Sequence, residues 1–80
     1  MDFNGYRIRP TKHFALGWMR KWDWDVISLH AALERAYKIE NVGRHKYEAY
    51  IKLKGKSRKI IFVRYEDSKE IIIITGAEGT

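Results

Sequence analysis

The chain has 80 residues, no cysteine, 14% aromatic residues and a formal net charge of +6. The absence of cysteine excludes disulfides and thiolate metal sites, and no apolar run reaches the roughly 18 residues that a membrane helix needs. We therefore expect one soluble, cytoplasmic domain, residues 1–80, that does not enter a membrane and whose small core depends on aromatic packing or self-association. Glutamine is absent while Lys, Glu, Ile and Tyr are abundant, a bias typical of thermophile proteins.

The first half of the chain predicts one strand followed by two helices. Apolar side chains alternate with arginines over residues 6–9, as in a short strand with one face in water. Thr11 is a good N-cap, and apolar residues then recur at helical spacing through Trp22. Asp23 is predicted to cap a second helix, which ends near residues 41–43 because glycine commonly terminates helices.

Period-two alternation replaces the helical spacing after residue 45. It predicts three strands joined by turns, with strands at 46–53, 60–63 and 71–75 and turns at 54–57 and 66–69. The last two strands are continuous apolar runs, which indicate burial on both faces. The two helices can cover one face of the sheet. The other face is covered by residues 6–9, by a second copy of the chain, or by nothing. The predicted fold is α+β, two helices packed on an antiparallel β-meander in the order β-α-α-β-β-β.

Positive charge is concentrated in residues 44–65, which hold eight Lys or Arg against one Glu. Such a basic hairpin suits a phosphate backbone, because each cation near a phosphate releases a condensed counterion. The alternative is a solvated sheet face, and packing is the alternative to base stacking for Trp24. The residues predicted to contact nucleic acid are Arg20, Trp24, Arg44, His45, Lys46, Tyr50, Lys52, Lys54, Lys56, Arg58 and Lys59.

His13 is the candidate general acid or base. The three histidines match no metal-ligand spacing, so we expect neither a metal nor a cofactor. His13 would lie in the first turn of the first helix, where the dipole favours a neutral ring that can accept a proton; local packing is the alternative. His30 falls on the inward stripe of the second helix and is predicted to be a core residue. His45 is predicted to meet either phosphate or solvent.

Two segments resemble a known family. Residues 11–33, which begin Thr-Lys-His-Phe-Ala and end Ala-Ala-Leu, and residues 69–75, Lys-Glu-Ile-Ile-Ile-Ile-Thr, are similar to a small family of unknown function. That family is commonly grouped with the BrnT and RelE ribonuclease toxins. The resemblance implies a toxin-like α+β fold and metal-independent cleavage of RNA. It matches His13 to the family's histidine, Lys21 to a helix arginine and Thr75 to a terminal threonine.

The chain departs from that family at Gly17, where an arginine one turn after the histidine is usual. Phosphate stabilisation would then come from Arg20, Lys21 or Arg64. In the resulting hypothesis, a toxin-like domain of a toxin–antitoxin system binds RNA, with or without cleaving it. Cleavage needs only a base, an acid and cations, because RNA supplies its own 2′-hydroxyl nucleophile. The proposed catalytic set is His13, Lys21, Arg64 and Thr75.

The alternative hypothesis is a small interaction protein without catalytic activity. Its basic hairpin would contact an acidic protein partner, such as an antitoxin, or its apolar strands would pair in a homodimer. Salt separates the two hypotheses, because nucleic-acid affinity falls steeply with salt and hydrophobic association does not.

Overall fold

The computed structural model describes residues 1–78, which form five strands and two helical regions. The first helical region joins a π-helical segment, Phe14–Met19, to α1 (Arg20–Trp22), and α2 spans Val26–Glu34. The α+β class predicted from the sequence is confirmed. The strands are β1 (Arg7–Pro10), β2 (Lys38–Gly43), β3 (Lys46–Leu53), β4 (Lys56–Tyr65) and β5 (Glu70–Glu78).

The strands form one mixed sheet in the order β1-β5-β4-β3-β2. Strands β2 to β5 make an antiparallel meander, and β1 pairs in parallel with β5, with Ile8 opposite Ile71. The strand predicted at residues 6–9 therefore extends the edge of the sheet instead of covering its second face. Within residues 1–78, no helix is long and apolar enough to cross a bilayer.

The predicted end of the second helix is wrong, because residues 38–43 form strand β2. α2 ends at Glu34, and the amide of Tyr37 donates to the carbonyl of Tyr50 at 3.0 Å, which begins the pairing with β3. Ile39 then lies opposite the buried Ala49. Pairing satisfies the backbone groups of β3 along a further edge, which a longer helix could not do. The observed order is β-α-α-β-β-β-β.

The helix caps follow the prediction at Thr11 and depart from it at Asp23. The Thr11 hydroxyl accepts a hydrogen bond from the Phe14 amide at 3.2 Å. Asp23 instead ends the first helical region with φ 57°, and Asp25 caps α2 by accepting from the Ser28 amide at 2.7 Å. That hydrogen bond lowers the pKa of Asp25. The cap is Asp25 and not Asp23 because Asp23 itself adopts the left-handed turn between the two helical regions.

The core lies between the helical regions and one face of the sheet. Buried side chains from the helices are Phe14, Met19, Trp22, Leu29, Ala32 and Leu33, and those from the sheet are Ala49, Ile51, Ile60, Phe62, Ile71 and Ile73. Ala49 and Ile51, which alternate with Lys, Glu and Tyr in the strand predicted at 46–53, are both buried in this core. Each fully buried large apolar side chain stabilises the fold by about 1.5–3 kcal/mol relative to exposure.

The second face of the sheet carries half-buried aliphatic side chains with no helix over them among residues 1–78. We call this the open sheet face; strand alternation puts on it Ile61 and Val63 of β4 and Ile72 and Ile74 of β5. The continuous apolar runs at 60–63 and 71–75 therefore reflect one buried face and one half-buried face.

Gly76 is where the first helical region comes closest to the sheet. A Cβ atom at this position would lie 2.9 Å from Trp22 Cη2 and 3.2 Å from both Phe14 Cε1 and the Lys59 carbonyl. Two large aromatic rings and a backbone oxygen cannot all move aside. The missing side chain of Gly76 therefore sets the depth at which the helix packs.

We expect Gly76→Ala to lower the free energy of unfolding by about 1–3 kcal/mol, because overpacking displaces the aromatic rings. Urea denaturation monitored by circular dichroism measures the loss. Gly17→Ala is the matched control, because a Cβ there meets nothing within 4 Å. The control should match or exceed wild type, and equal stability of all three proteins would contradict the packing argument.

Candidate nucleic-acid interface

The cations of residues 44–65 lie at two ends of the sheet. Strands β3 and β4 pair from Lys46 opposite Val63 to Leu53 opposite Lys56. A strand of that length spans roughly 25 Å, so its first and last cations are far apart. Arg44, His45, Lys46 and Arg64 lie at one end, and Lys52, Lys54, Lys56 and Arg58 at the other. The basic hairpin therefore does not present a single surface.

A groove of about 1030 Å³ opens at the end of the sheet that carries the β3–β4 turn. We call it the hairpin-turn groove. Four cations line it against a single carboxylate among the described residues, so it favours an anionic ligand. Its lining residues are Arg35 and Tyr37 after α2, Lys52, Gly55, Lys56, Ser57 and Arg58 of the hairpin, and Glu78 of β5.

Arg58 joins this groove to a cluster of tryptophans. Its guanidinium carbon lies 4.9 Å from the ring centroid of Trp22 and 5.6 Å from that of Trp24. Its Nε is buried and has no hydrogen-bond partner among residues 1–78. A smaller pocket of about 270 Å³, lined by Trp24, Lys54 and Arg58 among others, adjoins the cluster. The rings thus hold the guanidinium in place by cation–π contacts.

The carboxylate of Glu78 lies among the donors at the end of the first helical region. Trp22 Nε1 donates to one of its oxygens at 2.9 Å, and Lys21 Nζ lies 3.6 Å from the other. The Trp22 hydrogen bond, with the nearby Lys21 and Arg58 charges, lowers the pKa of Glu78. Lys21 also lies 5.3 Å from the ring centroid of Trp18. The predicted phosphate ligand Lys21 is therefore already paired with an internal carboxylate.

Two of the four predicted catalytic residues converge. His13 Nε2 lies 3.2 Å from Thr75 Oγ1, on an exposed part of the molecule. Arg64 lies opposite Ile71, four residues before Thr75 on β5, or about 13 Å along the strand. Lys21 is at the other end of the helical region from His13. The hairpin-turn groove is lined by neither His13 nor Thr75.

Arg64 is held in the opposite end of the sheet by its own contacts. Its guanidinium carbon lies 4.6 Å from the ring centroid of Tyr6, and its Nη1 lies 3.2 Å from a carboxylate oxygen of Glu66. Lys69 Nζ lies 5.1 Å from the same Tyr6 ring. The Nε of Arg64, like that of Arg58, is buried and has no hydrogen-bond partner among residues 1–78.

Tyr50 and Lys59, both predicted to contact nucleic acid, lie on the open sheet face beside a carboxylate. The Tyr50 hydroxyl donates to Glu48 at 2.7 Å, which raises the pKa of Tyr50 to about 12. Lys59 Nζ lies 3.7 Å from the same carboxylate. Lys38 Nζ lies 5.3 Å from the Tyr50 ring centroid. Tyr50 and Lys59 are thus both already in contact with Glu48.

The remaining predicted residues occupy separate places. Arg20 is exposed on α1. His45 occupies the β2–β3 turn with φ 60°, its ring 5.9 Å from that of Tyr65. The predicted core position of His30 is wrong, because its ring is partly exposed and its Nδ1 lies 3.4 Å from Glu34. The helical stripe turns Leu29 and Leu33 inward and leaves His30 at its margin.

The sequence did not point to Arg35, Tyr37 or Glu78 as site residues. Arg35 and Tyr37 belong to the segment that was predicted to continue α2, and Glu78 to an acidic tail. One signal was present in the sequence: an aromatic residue, Tyr37, stands two positions after Arg35. No family model, curated protein or solved structure matches this chain.

Proposed function

We propose that this protein binds single-stranded RNA in the hairpin-turn groove. The observation that carries the proposal is the lining of this groove, where Arg35, Lys52, Lys56 and Arg58 face one carboxylate. Cations gathered in one groove release counterions from a phosphate backbone on binding, which supplies affinity without sequence preference. An extended strand can follow such a groove across the end of the sheet.

Aromatic side chains beside the cations support a single-stranded ligand. Tyr37 lies in the groove with 61% of its surface exposed, and Trp24 is half-buried next to Arg58. Unpaired bases stack on such rings, with a contribution of about 1–3 kcal/mol for each base. The bases of a duplex are already stacked and cannot use these rings.

RNA is favoured over DNA by the resemblance of residues 11–33 and 69–75 to the BrnT- and RelE-type ribonuclease toxins. We also propose that the protein has a toxin-like fold, comes from a thermophile and is located in the cytoplasm. Binding does not include cleavage by the residues His13, Lys21, Arg64 and Thr75. Acid–base cleavage needs a cation beside the scissile phosphate, and Arg64 lies opposite Ile71, about 13 Å along β5 from the His13–Thr75 pair.

We expect the double variant Lys52→Gln/Lys56→Gln to bind RNA about tenfold more weakly at low salt, because two phosphate contacts are lost. The magnitude of the slope of log affinity against log salt should fall by about 1.4, or 0.7 for each contact. Fluorescence anisotropy of a labelled oligouridylate of about ten nucleotides measures both quantities.

The matched control is Arg44→Gln/Lys46→Gln, which removes the same charge from the opposite end of the same hairpin. Its affinity and salt slope should stay near those of wild type. Equal losses in the two double variants would contradict the assignment of the groove. If wild type does not bind RNA, the proposal is rejected. The ligand of the groove cations would then be an acidic protein partner, such as an antitoxin.

We expect structured and unstructured RNA to remain intact when incubated with the protein in the absence of metal. His13→Ala should bind RNA as tightly as wild type, because its ring lies outside the groove. Denaturing gels and anisotropy measure the two results. Cleavage that disappears in His13→Ala would contradict binding without cleavage and restore the acid–base hypothesis.

A second candidate function, a homodimer, is supported by the open sheet face. Ile61, Val63, Ile72 and Ile74 form a continuous half-buried strip across β4 and β5. A two-fold axis parallel to these strands would set β1 of each copy across from β3 of the other. Arg9, on the same face of β1, already pairs with Glu70 at 3.1 Å, so its charge beside the apolar strip is balanced within one chain.

If the homodimer forms, we expect a mass twice the 9.5 kDa of one chain at both low and high salt. Val63→Lys should return it to a monomer, because a charge would be buried in the apolar strip. Sedimentation equilibrium measures the mass. Ile27→Lys is the control, because this side chain is 79% exposed on α2; a monomeric wild type, or dimers that both substitutions break, would reject the dimer.

A further inference from the structure

Glu78 brings its own negative charge into the hairpin-turn groove. Its two oxygens meet two donors, the indole N–H of Trp22 at 2.9 Å and the ammonium of Lys21 at 3.6 Å. Arg58 lies directly opposite Glu78 in the pairing of β4 with β5. The two donors come from the first helical region, Arg58 comes from β4 and the carboxylate comes from β5. Three elements therefore converge on one anion.

The chemistry of this anion matches one part of an RNA chain. A carboxylate carries one negative charge shared by two oxygens, and an internal phosphodiester likewise carries one negative charge shared by two non-bridging oxygens. A neutral N–H donor with one ammonium suits that single charge. Arg58, with its planar guanidinium fixed on two tryptophans, offers the further fork of donors that phosphate favours.

We infer that the Glu78 carboxylate occupies the position of an internal phosphodiester of bound RNA and must leave when RNA enters. The inference rests on the proposed RNA-binding function and adds the phosphate site and its built-in competitor. The Glu78 side chain is 45% exposed, so it can turn into solvent without disturbing the core. Its departure frees Trp22 Nε1 and Lys21 for the phosphate, beside Arg58.

The inference predicts that Glu78 weakens RNA binding more than its charge alone would. Glu78→Gln keeps an acceptor oxygen for the Trp22 N–H but removes the charge that competes with phosphate. We expect about threefold to tenfold tighter RNA binding, because the phosphate no longer has to displace a charged group, and an unchanged salt slope, because the same phosphate is contacted in both proteins. Anisotropy titrations of the oligouridylate across a salt series measure both quantities.

Glu66→Gln is the matched control. It changes the net charge by the same amount, but Glu66 pairs with Arg64 at the opposite end of the sheet. Its affinity should change less than that of Glu78→Gln, and its salt slope should not change. Thermal unfolding of both variants confirms that they are folded.

The outcomes separate the inference from the proposed function. If wild type binds RNA and Lys52→Gln/Lys56→Gln weakens binding, but Glu78→Gln matches Glu66→Gln, the phosphate site at Glu78 is rejected and the groove stands. If wild type does not bind RNA, the proposed function fails first.

A second measurement tests the class of phosphate. Oligouridylates with a 5′-phosphate and with a 5′-hydroxyl should bind Glu78→Gln equally, because an internal phosphodiester fills the site. A strong preference for the 5′-phosphate would overturn the assignment to an internal phosphodiester.

Discussion

Trp22 reaches the sheet at the one point of β5 where a side chain is missing, and much of the molecule is arranged around that contact. One edge of its ring lies against Gly76. Phe14 and Trp24 lie at 6.1 and 4.8 Å between ring centroids, and Arg58 lies over its face. Its N–H meets the carboxylate of β5. A core residue thus also positions both the cation and the anion of the groove.

This dual role fixes the position of one cation of the groove, Arg58. A guanidinium on a long side chain ordinarily loses rotamer freedom when it binds a ligand. Arg58 has already lost that freedom against two tryptophans, which the core holds in place. Binding therefore costs less ordering than it would at an exposed arginine such as Arg44.

The sequence predicted those parts of the fold in which side-chain period and burial agree. Residues 46–53 alternate strictly, and the alternation survives in the structure because one face packs on the helices. β2 was not predicted because it is an edge strand with little apolar alternation. Ile39 is its residue opposite the buried Ala49. The existence of β2 depends on backbone pairing with β3, which leaves little trace in composition. The spacing of apolar residues likewise does not reveal that the segment Phe14–Met19 is a π-helix.

The candidate site was predicted in part for a geometrical reason. The cations of residues 44–65 are continuous in sequence, but an antiparallel pair carries its turn and its open end far apart. Arg35 and Tyr37 enter the groove through the fold of the chain after α2, and linear charge counting cannot detect such an approach. The contact of His13 with Thr75 was not predicted, because it depends on the parallel pairing of β1 with β5, and the position of Arg64 likewise depended on strand register.

The parallel pairing of β1 with β5 has a consequence for biosynthesis. The hydroxyl of Thr11, which follows β1, donates a hydrogen bond to the carbonyl of Ile74, a residue 63 positions later. A ribosome releases β1 before β5, so β1 stays unpaired until β5 has been made. The charges of Arg7 and Arg9 and the missing amide hydrogen of Pro10 discourage premature association of the unpaired strand with other nascent chains.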